Sequence, residues 1–226
     1  TCQNFDVGNA CLAFVSGIDI AARMIEYGEV DFALIVDGEV SNEIIDRTVE
    51  RLNSPDATVA QFHQEFASLT LGSGAAAMVL GHDSLVTSGH RYVGSVTRAA
   101  TEFSHLCRGS MDRMVTDTRT LLHEGLKLAA TTFQAAGSAL GWAGAEIDEF
   151  VVHQVSKVHT DALTRRLGLD PAKVLTVFPE HGNIGPAAVP ITLSKLDELG
   201  RLRAGSRVGL LGIGSGLNCS MAEVVW

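Results

Sequence analysis

Charge is scarce in this chain. Only 19% of its 226 residues are Asp, Glu, Lys or Arg, too few for long solvated tails or a coiled coil. Positive charge is the scarcer sign, and 17 Lys and Arg against 26 Asp and Glu leave a net charge of −9. That balance argues against nucleic acid as the main partner, although a local basic patch for a small anionic ligand stays open. The four cysteines (Cys2, Cys11, Cys107, Cys219) show no paired spacing and no CxxC. A reduced, cytoplasmic chain is therefore the simpler expectation than a disulfide framework. Long apolar runs are missing too. Residues 69–80 and 208–217 come nearest, but glycine breaks them well short of the ~20 residues of a membrane-spanning helix. No secretory leader is visible, and Thr1 is not a natural start, so a targeting segment upstream stays open.

What is present is apolar and rich in glycine. Hydrophobic residues make up 46% and there are 23 glycines, enough for a sizeable core in one large domain or two small ones. From Cys11 the pattern turns helical, with Val15, Ile18, Ala22 and Ile25 at helical spacing and Gly28 placed to end the run. The continuous apolar run 32–36 reads as a strand buried on both faces. Residues 37–66 read as a polar, irregular excursion, and the acidic residues of 37–51 as a solvated face. Strand character returns at 74–80, and the stretch 81–89 is a candidate boundary between units 1–85 and 90–226. The second unit opens with a strand at 92–97 and an irregular segment at 99–118. Leu122, Leu126, Ala129, Phe133 and Ala136 then step by four and three, as on an amphipathic helix closing near Gly141. Strands at 149–152 and 173–177, helices at 157–167 and 184–199, and terminal strands at 207–211 and 218–225 complete the pattern. Pro190 falls in the early turns of its helix, where it can be tolerated. This alternation predicts an α/β protein with largely parallel sheets.

The two units echo each other. Cys11 heads a predicted helix closed by Gly28, and Asn183 heads one closed by Gly200. Each is followed by a strand, a Gly-Ser-Gly (72–74 and 214–216) and a last strand. Abundant glycine could produce such a match by chance. A duplicated unit, with helix N-termini facing across a pseudo-twofold axis, is the reading favoured here.

Three residues stand where chemistry would be placed. At a helix N-terminus, unpaired N–H groups and the macrodipole lower a thiol pKa, which makes Cys11 a candidate nucleophile. By position alone it could equally be a buried structural cysteine. His153 ends a buried strand, where α/β sheets carry functional groups; a lone histidine there is more often structural. Asn183, in His181-Gly182-Asn183-Ile184-Gly185-Pro186, could simply cap a helix or a turn. The glycine-rich 212–216 lies between two strands rather than between strand and helix. That context suits a tight turn offering a backbone N–H to an oxyanion better than a phosphate loop. The remaining histidines (His63, His82, His90, His105, His123, His159, His181) show no metal-ligand spacing, and no metal site is expected.

Asn9-Ala10-Cys11-Leu12-Ala13-Phe14, Val152-His153-Gln154 and His181-Gly182-Asn183, the last followed by Ala187-Ala188-Val189-Pro190, resemble the catalytic signatures of the ketoacyl synthase III branch of the thiolase superfamily. The terminal 212–218 is most similar to OleA-type members, which join two fatty acyl-CoA molecules head to head. The resemblance covers essentially the whole chain. It implies a thiolase-like fold of two αβαβα-type halves. Cys11, His153 and Asn183 would be catalytic, and the backbone N–H groups of Cys11 and Ser215 would form an oxyanion site. It also implies coenzyme A thioesters as substrates without a further cofactor, and a twofold dimer. Family members begin well upstream of the cysteine, so part of the first half is expected from a companion chain or an upstream segment. A glutamate base contributed by the other subunit in OleA-type enzymes would lie there, and no residue of this chain takes its role. The alternatives are a decarboxylating synthase extending with malonyl-ACP, a papain-like hydrolase with the same Cys, His, Asn order, and a non-catalytic partner subunit. Cys11 lacks the hydrolase's Cys-Gly-x-Cys-aromatic context, and partner subunits usually lose the nucleophile.

Overall fold

The computed structural model of the chain describes residues 2–86, 89–110, 112–142 and 146–226. A 3₁₀ turn (Ala10–Leu12) leads into α1 (Ala13–Glu26). Then come β1 (Phe32–Glu39), α2 (Asn42–Leu52), α3 (Val59–Glu65) and β2 (Gly74–Gly81). After them follow β3 (Arg91–Ala99), a small hairpin of β4 (Cys107–Gly109) and β5 (Met114–Thr116), and the long α4 (Thr118–Ala139). The remainder is β6 (Glu149–Val152), α5 (Lys157–Leu167), the single turn α6 (Phe178–His181), α7 (Ala188–Glu198), β7 (Arg207–Gly214) and β8 (Asn218–Val225).

These elements stack in layers. β1 and β2 form a two-stranded ribbon, and β3-β8-β7-β6 form a four-stranded sheet. Between the two sheets lie α1 and α7. Successive side chains of a strand point to opposite faces, so each strand of the larger sheet serves two cores. Val208 and Leu210 of β7 and Ala222 and Val224 of β8 meet Phe14, Val15 and Ile18 of α1 and Leu193 and Leu196 of α7. Leu211, Cys219 and Met221 face the other way, onto Leu128 and Ala129 of α4 and Leu163 of α5. Each fully buried aliphatic side chain contributes roughly 1.5–3 kcal/mol. α1 qualifies for the central layer because Phe14, Val15, Ile18, Ala21 and Ile25 recur every three or four residues, and all are buried. It ends where Gly28, at φ +71°, donates its N–H to the Ile25 carbonyl (3.0 Å).

Several expectations change. The sheets are mostly antiparallel, since among the strands of the described residues only β6 and β7 pair parallel. β7 and β8 are joined by a three-residue turn, which an antiparallel pair permits and a parallel one does not. The run 32–36 is covered on one face only: Phe32, Leu34 and Val36 lie more than half exposed, while Ile35 packs on Gly17 of α1. Residues 37–66 are ordered, with β1 continuing to Glu39 and α2 and α3 following. Their anchor is the buried Glu65 carboxylate, which accepts from Arg51 (2.9 Å) and Arg113 (2.8 Å). The strand expected at 173–177 reduces to a single bridge, Val174 to Phe150, after a 3₁₀ turn opened by Pro171. Residues 87–88, inside the candidate boundary 81–89, lie outside the described residues.

Candidate active site

Cys11 sits in the 3₁₀ turn ahead of α1, just after Ala10 at φ +45°. A left-handed backbone at a residue bearing a Cβ costs roughly 1–2 kcal/mol, so the loop must be held by its surroundings. Asn9 does much of this. Its Nδ2 donates to Ser16 Oγ (3.0 Å) and its Oδ1 accepts from Asn218 Nδ2 (2.8 Å). The β7–β8 turn presses against the same loop. A Cβ at Gly214 would stand 2.9 Å from the Asn9 carbonyl oxygen, and one at Gly212 would stand 2.4 Å from Leu12 Cδ1. Ser215, the next residue, is thereby held on the loop that carries Cys11.

The thiol is not the activated thiolate expected from its place at a helix start. Burial pushes it up to about 12, with Cys107, Glu39 and Asp37 adding to the rise; only its own backbone N–H pulls the other way. One short turn of aligned N–H groups is outweighed by an enclosed sulfur with negative groups around it.

His153 follows β6, its N–H donating to the Leu211 carbonyl (2.8 Å). The side chain is 2% exposed, and its Nδ1 is buried without a hydrogen-bond partner among the described residues. Burial pulls its pKa down to about 3, helped by the neighbouring His159 and opposed by a hydrogen bond to the Gly185 backbone. The ring is neutral at ordinary pH, able to donate one N–H. Gln154 beside it fastens the next loop: its Oε1 accepts from the N–H groups of Val177 (2.9 Å) and Phe178 (3.1 Å), and its Nε2 donates to the Leu175 carbonyl (2.9 Å).

Asn183 is held from three sides. Its N–H donates to the Thr70 carbonyl (2.8 Å), its carbonyl accepts from Gly72 N–H (2.8 Å), and its Oδ1 accepts from Gly185 N–H (3.1 Å). With the amide oxygen engaged, the NH₂ group is what remains for a ligand. Gly72 has no freedom to be anything else, since a Cβ there would lie 1.8 Å from the His181 carbonyl oxygen.

The three residues converge. The turn of Cys11 packs against the turn Gly185–Ala187 that opens α7, and the backbone of Gly185 touches both Asn183 and His153. Sequence reasoning missed three neighbours. Cys107, on β4, lies 3.4 Å from Thr116 Oγ1 and close enough to act on the Cys11 thiol. Asp37 and Glu39 were assigned to a solvated face, but β1 alternates through Ala33 and Ile35 and turns both carboxyls inward. Carrying the period of two past the apolar run would have found them. Among the described residues no group of three or more His, Cys, Asp or Glu could hold a metal ion.

Comparison with known proteins follows the same lines. Residues 5–100 match the profile of 3-oxoacyl-[acyl-carrier-protein] synthase III, and residues 138–226 match the profile of its C-terminal part. An acyl-CoA:acyl-CoA alkyltransferase of Xanthomonas campestris is 64% identical over 225 residues, covering 100% of this chain and 67% of the relative. The Shewanella oneidensis protein of the same name is 33% identical over 98% of the chain and 67% of its own length. A beta-ketoacyl-[acyl-carrier-protein] synthase III of Streptomyces coelicolor is 28% identical over 98% of the chain and 63% of its own length. A crystal structure of a Xanthomonas campestris OleA variant with bound lauric acid and lauroyl-CoA superposes with a TM-score of 0.97 at 64% identity, covering 100% of this chain and 67% of that one. The chain thus spans about two thirds of the length of these relatives.

Proposed function

The chain belongs to the 3-oxoacyl-[acyl-carrier-protein] synthase III family and carries its thiolase-like α/β fold, and from that premise we propose that it is an acyltransferase joining two fatty acyl thioesters through an acyl-Cys11 intermediate. The observation that carries the proposal is the 64% identity, over the whole chain, to an acyl-CoA:acyl-CoA alkyltransferase. The substrates are two long-chain acyl-CoA molecules, no further cofactor takes part, and the product is a 2-alkyl-3-keto acid formed without decarboxylation. Cys11 Sγ takes the first acyl group and releases coenzyme A, which splits one hard step into two. A base from outside this chain takes the α-proton of the second acyl-CoA, the resulting carbanion attacks the acyl-Cys carbonyl, and the carbonyl–Sγ bond breaks to release Cys11 and leave a 3-ketoacyl-CoA. Hydrolysis of the remaining thioester leaves the free acid.

His153 and Asn183 receive the negative charge that develops on the carbonyl oxygen of the second thioester. Two neutral N–H donors suit that role in an enclosed site; a buried, uncharged His153 and an Asn183 amide anchored through its oxygen are in keeping with it. The backbone N–H groups of Cys11 and Ser215 receive the oxyanion at the acyl-Cys carbonyl. We group residues 1–85 as part of one thiolase-like half and 90–226 as the other. The exposed apolar face of β1 and β2, where Phe32, Leu34, Val36 and Val79 are all more than half exposed, supports cover by a further segment and a twofold dimer. Four free cysteines suit the cytoplasm.

A decarboxylating synthase acting on malonyl-ACP is the runner-up, because the family profiles and the Streptomyces relative carry that name. Mass spectrometry of the products separates the two. Long-chain acyl-CoA alone should yield the 2-alkyl-3-keto acid or the ketone it decays to. Product that appears only when malonyl-ACP is added would replace this proposal with the runner-up.

A further inference from the structure

Thioester exchange at Cys11 leaves a proton to be placed. The Sγ–acyl bond forms, the acyl–sulfur bond of coenzyme A breaks, and the thiol proton must leave Sγ and end on the departing coenzyme A sulfur. His153 is a poor carrier, because its buried ring stays neutral down to about pH 3.

β1 supplies a better one. Asp37 and Glu39 stand at alternate positions on its inner face, directly beyond Ile35, which packs on α1. Asp37 Oδ2 is fully buried and has no hydrogen-bond partner among the described residues. The Glu39 carboxyl reaches the turn that fastens Asn183: its Cδ is 3.3 Å and its Oε2 3.5 Å from where a Cβ at Gly185 would stand. Among the described residues no basic side chain acts on either group, so the usual employment of such residues in a salt bridge is absent there. Two unpaired carboxyls turned inward beside a nucleophile are costly to keep without a use.

We propose that Asp37 and Glu39 together store the proton of the nucleophile, taking it from Cys11 as the acyl group arrives and passing it to the coenzyme A thiolate as it leaves. The proposal rests on the thioester-exchange reading above. The balance closes: one proton leaves Sγ, one reaches the coenzyme A sulfur, and the pair ends as it began. Close carboxyls titrate as a unit because both resist ionising together. Burial raises both, and the charge of Asp37 raises Glu39 further. Asp37, whose buried Oδ2 has no hydrogen-bond partner among the described residues, is the acceptor.

A proton store has two opposite effects on Cys11, and this makes the proposal testable. The charges of the pair hold the thiol protonated, so removing them frees thiolate; removing them also removes the acceptor. The variants are Asp37→Asn, Glu39→Gln and their combination, made in a Cys107→Ser background so that only one thiol near the site is read. His153, the other titrating residue of the site, stays unchanged. Alkylation of Cys11 by iodoacetamide, mapped by peptide mass spectrometry, should quicken in the double variant by roughly tenfold near pH 7, as for a thiol pKa lowered by about one unit. Single-turnover acylation by lauroyl-CoA, followed by intact mass, should instead slow by ~10²-fold. Both rates falling together, both rising, or acylation left unchanged would overturn the proposal; Asp37→Asn alone, isosteric and uncharged, guards against a double variant that does not fold. A wild-type chain that is alkylated normally but never acylated would instead fault the thioester-exchange reading.

Discussion

The ribbons β1–β2 and β7–β8 are built from strands of the same length, eight residues each, yet only one ribbon is covered on both faces. β7 and β8 are buried almost throughout, whereas β1 and β2 alternate between covered and open positions. The apolar content does not explain this, because Leu34 and Val36 on the open face are as apolar as Leu210 and Val224 on the closed one. What differs is the neighbours. β7–β8 lies between α1 and α7 on one side and α4 and α5 on the other, whereas among the described residues β1–β2 meets α1, α7 and the turn before α7 on one face. The contrast teaches that a continuous apolar run reports what a strand needs, and the rest of the molecule decides whether it is met. It also separates the chemistry. On the proposed function, the part with the open face carries the nucleophile Cys11 and the carboxyls of β1, and the rest carries the two donors His153 and Asn183.

The largest expected effect tests that separation directly. Cys11→Ala should abolish the acyl adduct seen by intact mass after incubation with acyl-CoA. His153→Ala and Asn183→Ala should each lower condensed product by ~10²–10³-fold while Cys11 still acquires its acyl group at a substantial rate. A parallel loss of acylation in His153→Ala would erase the division of labour, and undiminished product would remove both donors from the mechanism.

The places of the three candidate residues were more legible in sequence than the strand pairing around them. Cys11, His153 and Asn183 stand at element boundaries, and such positions can be read from local pattern. The helix of Val15, Ile18 and Ile25 and the long helix of Leu122 to Ala136 were readable for the same reason. Strand pairing was not, because the direction of a neighbour is set by contacts far apart in sequence, as between Glu149 and Val208. Asp37 and Glu39 were lost for a related reason. A carboxylate in a polar stretch normally faces water, and only the register of β1 against β2 shows that these two do not. Nor could any local pattern anticipate the high pKa of Cys11, which comes from burial and from groups 26 or more residues away.

The second expected effect concerns the echo between the two Gly-Ser-Gly segments, which turns out to be reciprocal. Gly72, at the head of β2, closes on the loop of Asn183, and Gly214, at the end of β7, closes on the loop of Cys11. Gly72 thus buttresses the loop of Asn183, and Gly214 that of Cys11. The fit is unequal: an added Cβ meets backbone oxygen at 1.8 Å in the first case and at 2.9 Å in the second. Gly214→Ala should cost about 1–3 kcal/mol by urea denaturation, the usual range for overpacking, and Gly72→Ala should exceed it, at roughly 4 kcal/mol or loss of folding. Equal costs would mean that the two buttresses are equivalent after all.

The smallest expected effect lies in how the loops of Cys11 and Asn183 are tied. Asn183 is bound to the first unit through backbone groups alone, those of Thr70 and Gly72, which no side-chain substitution can remove. The loop of Cys11 is bound to the second unit through a side chain, Asn218 Nδ2 donating to Asn9 Oδ1 at 2.8 Å. Asn218→Ala deletes that tie and leaves Asn9 its other bond, to Ser16. The expected loss is about 0.5–1.5 kcal/mol, the net worth of one hydrogen bond in a partly buried place. It should appear as a lower urea midpoint with an unchanged slope. Asn218→Asp should cost more, because a carboxylate cannot donate and sets its charge against the Asn9 oxygen. Cys11 acylation should slow in both variants in the same order, since the left-handed Ala10 has lost part of what holds it. Stability falling while acylation stays at the wild-type rate would show that the loop is set by the packing of Gly212 and Gly214 alone, and that side-chain and backbone ties differ in position but not in consequence.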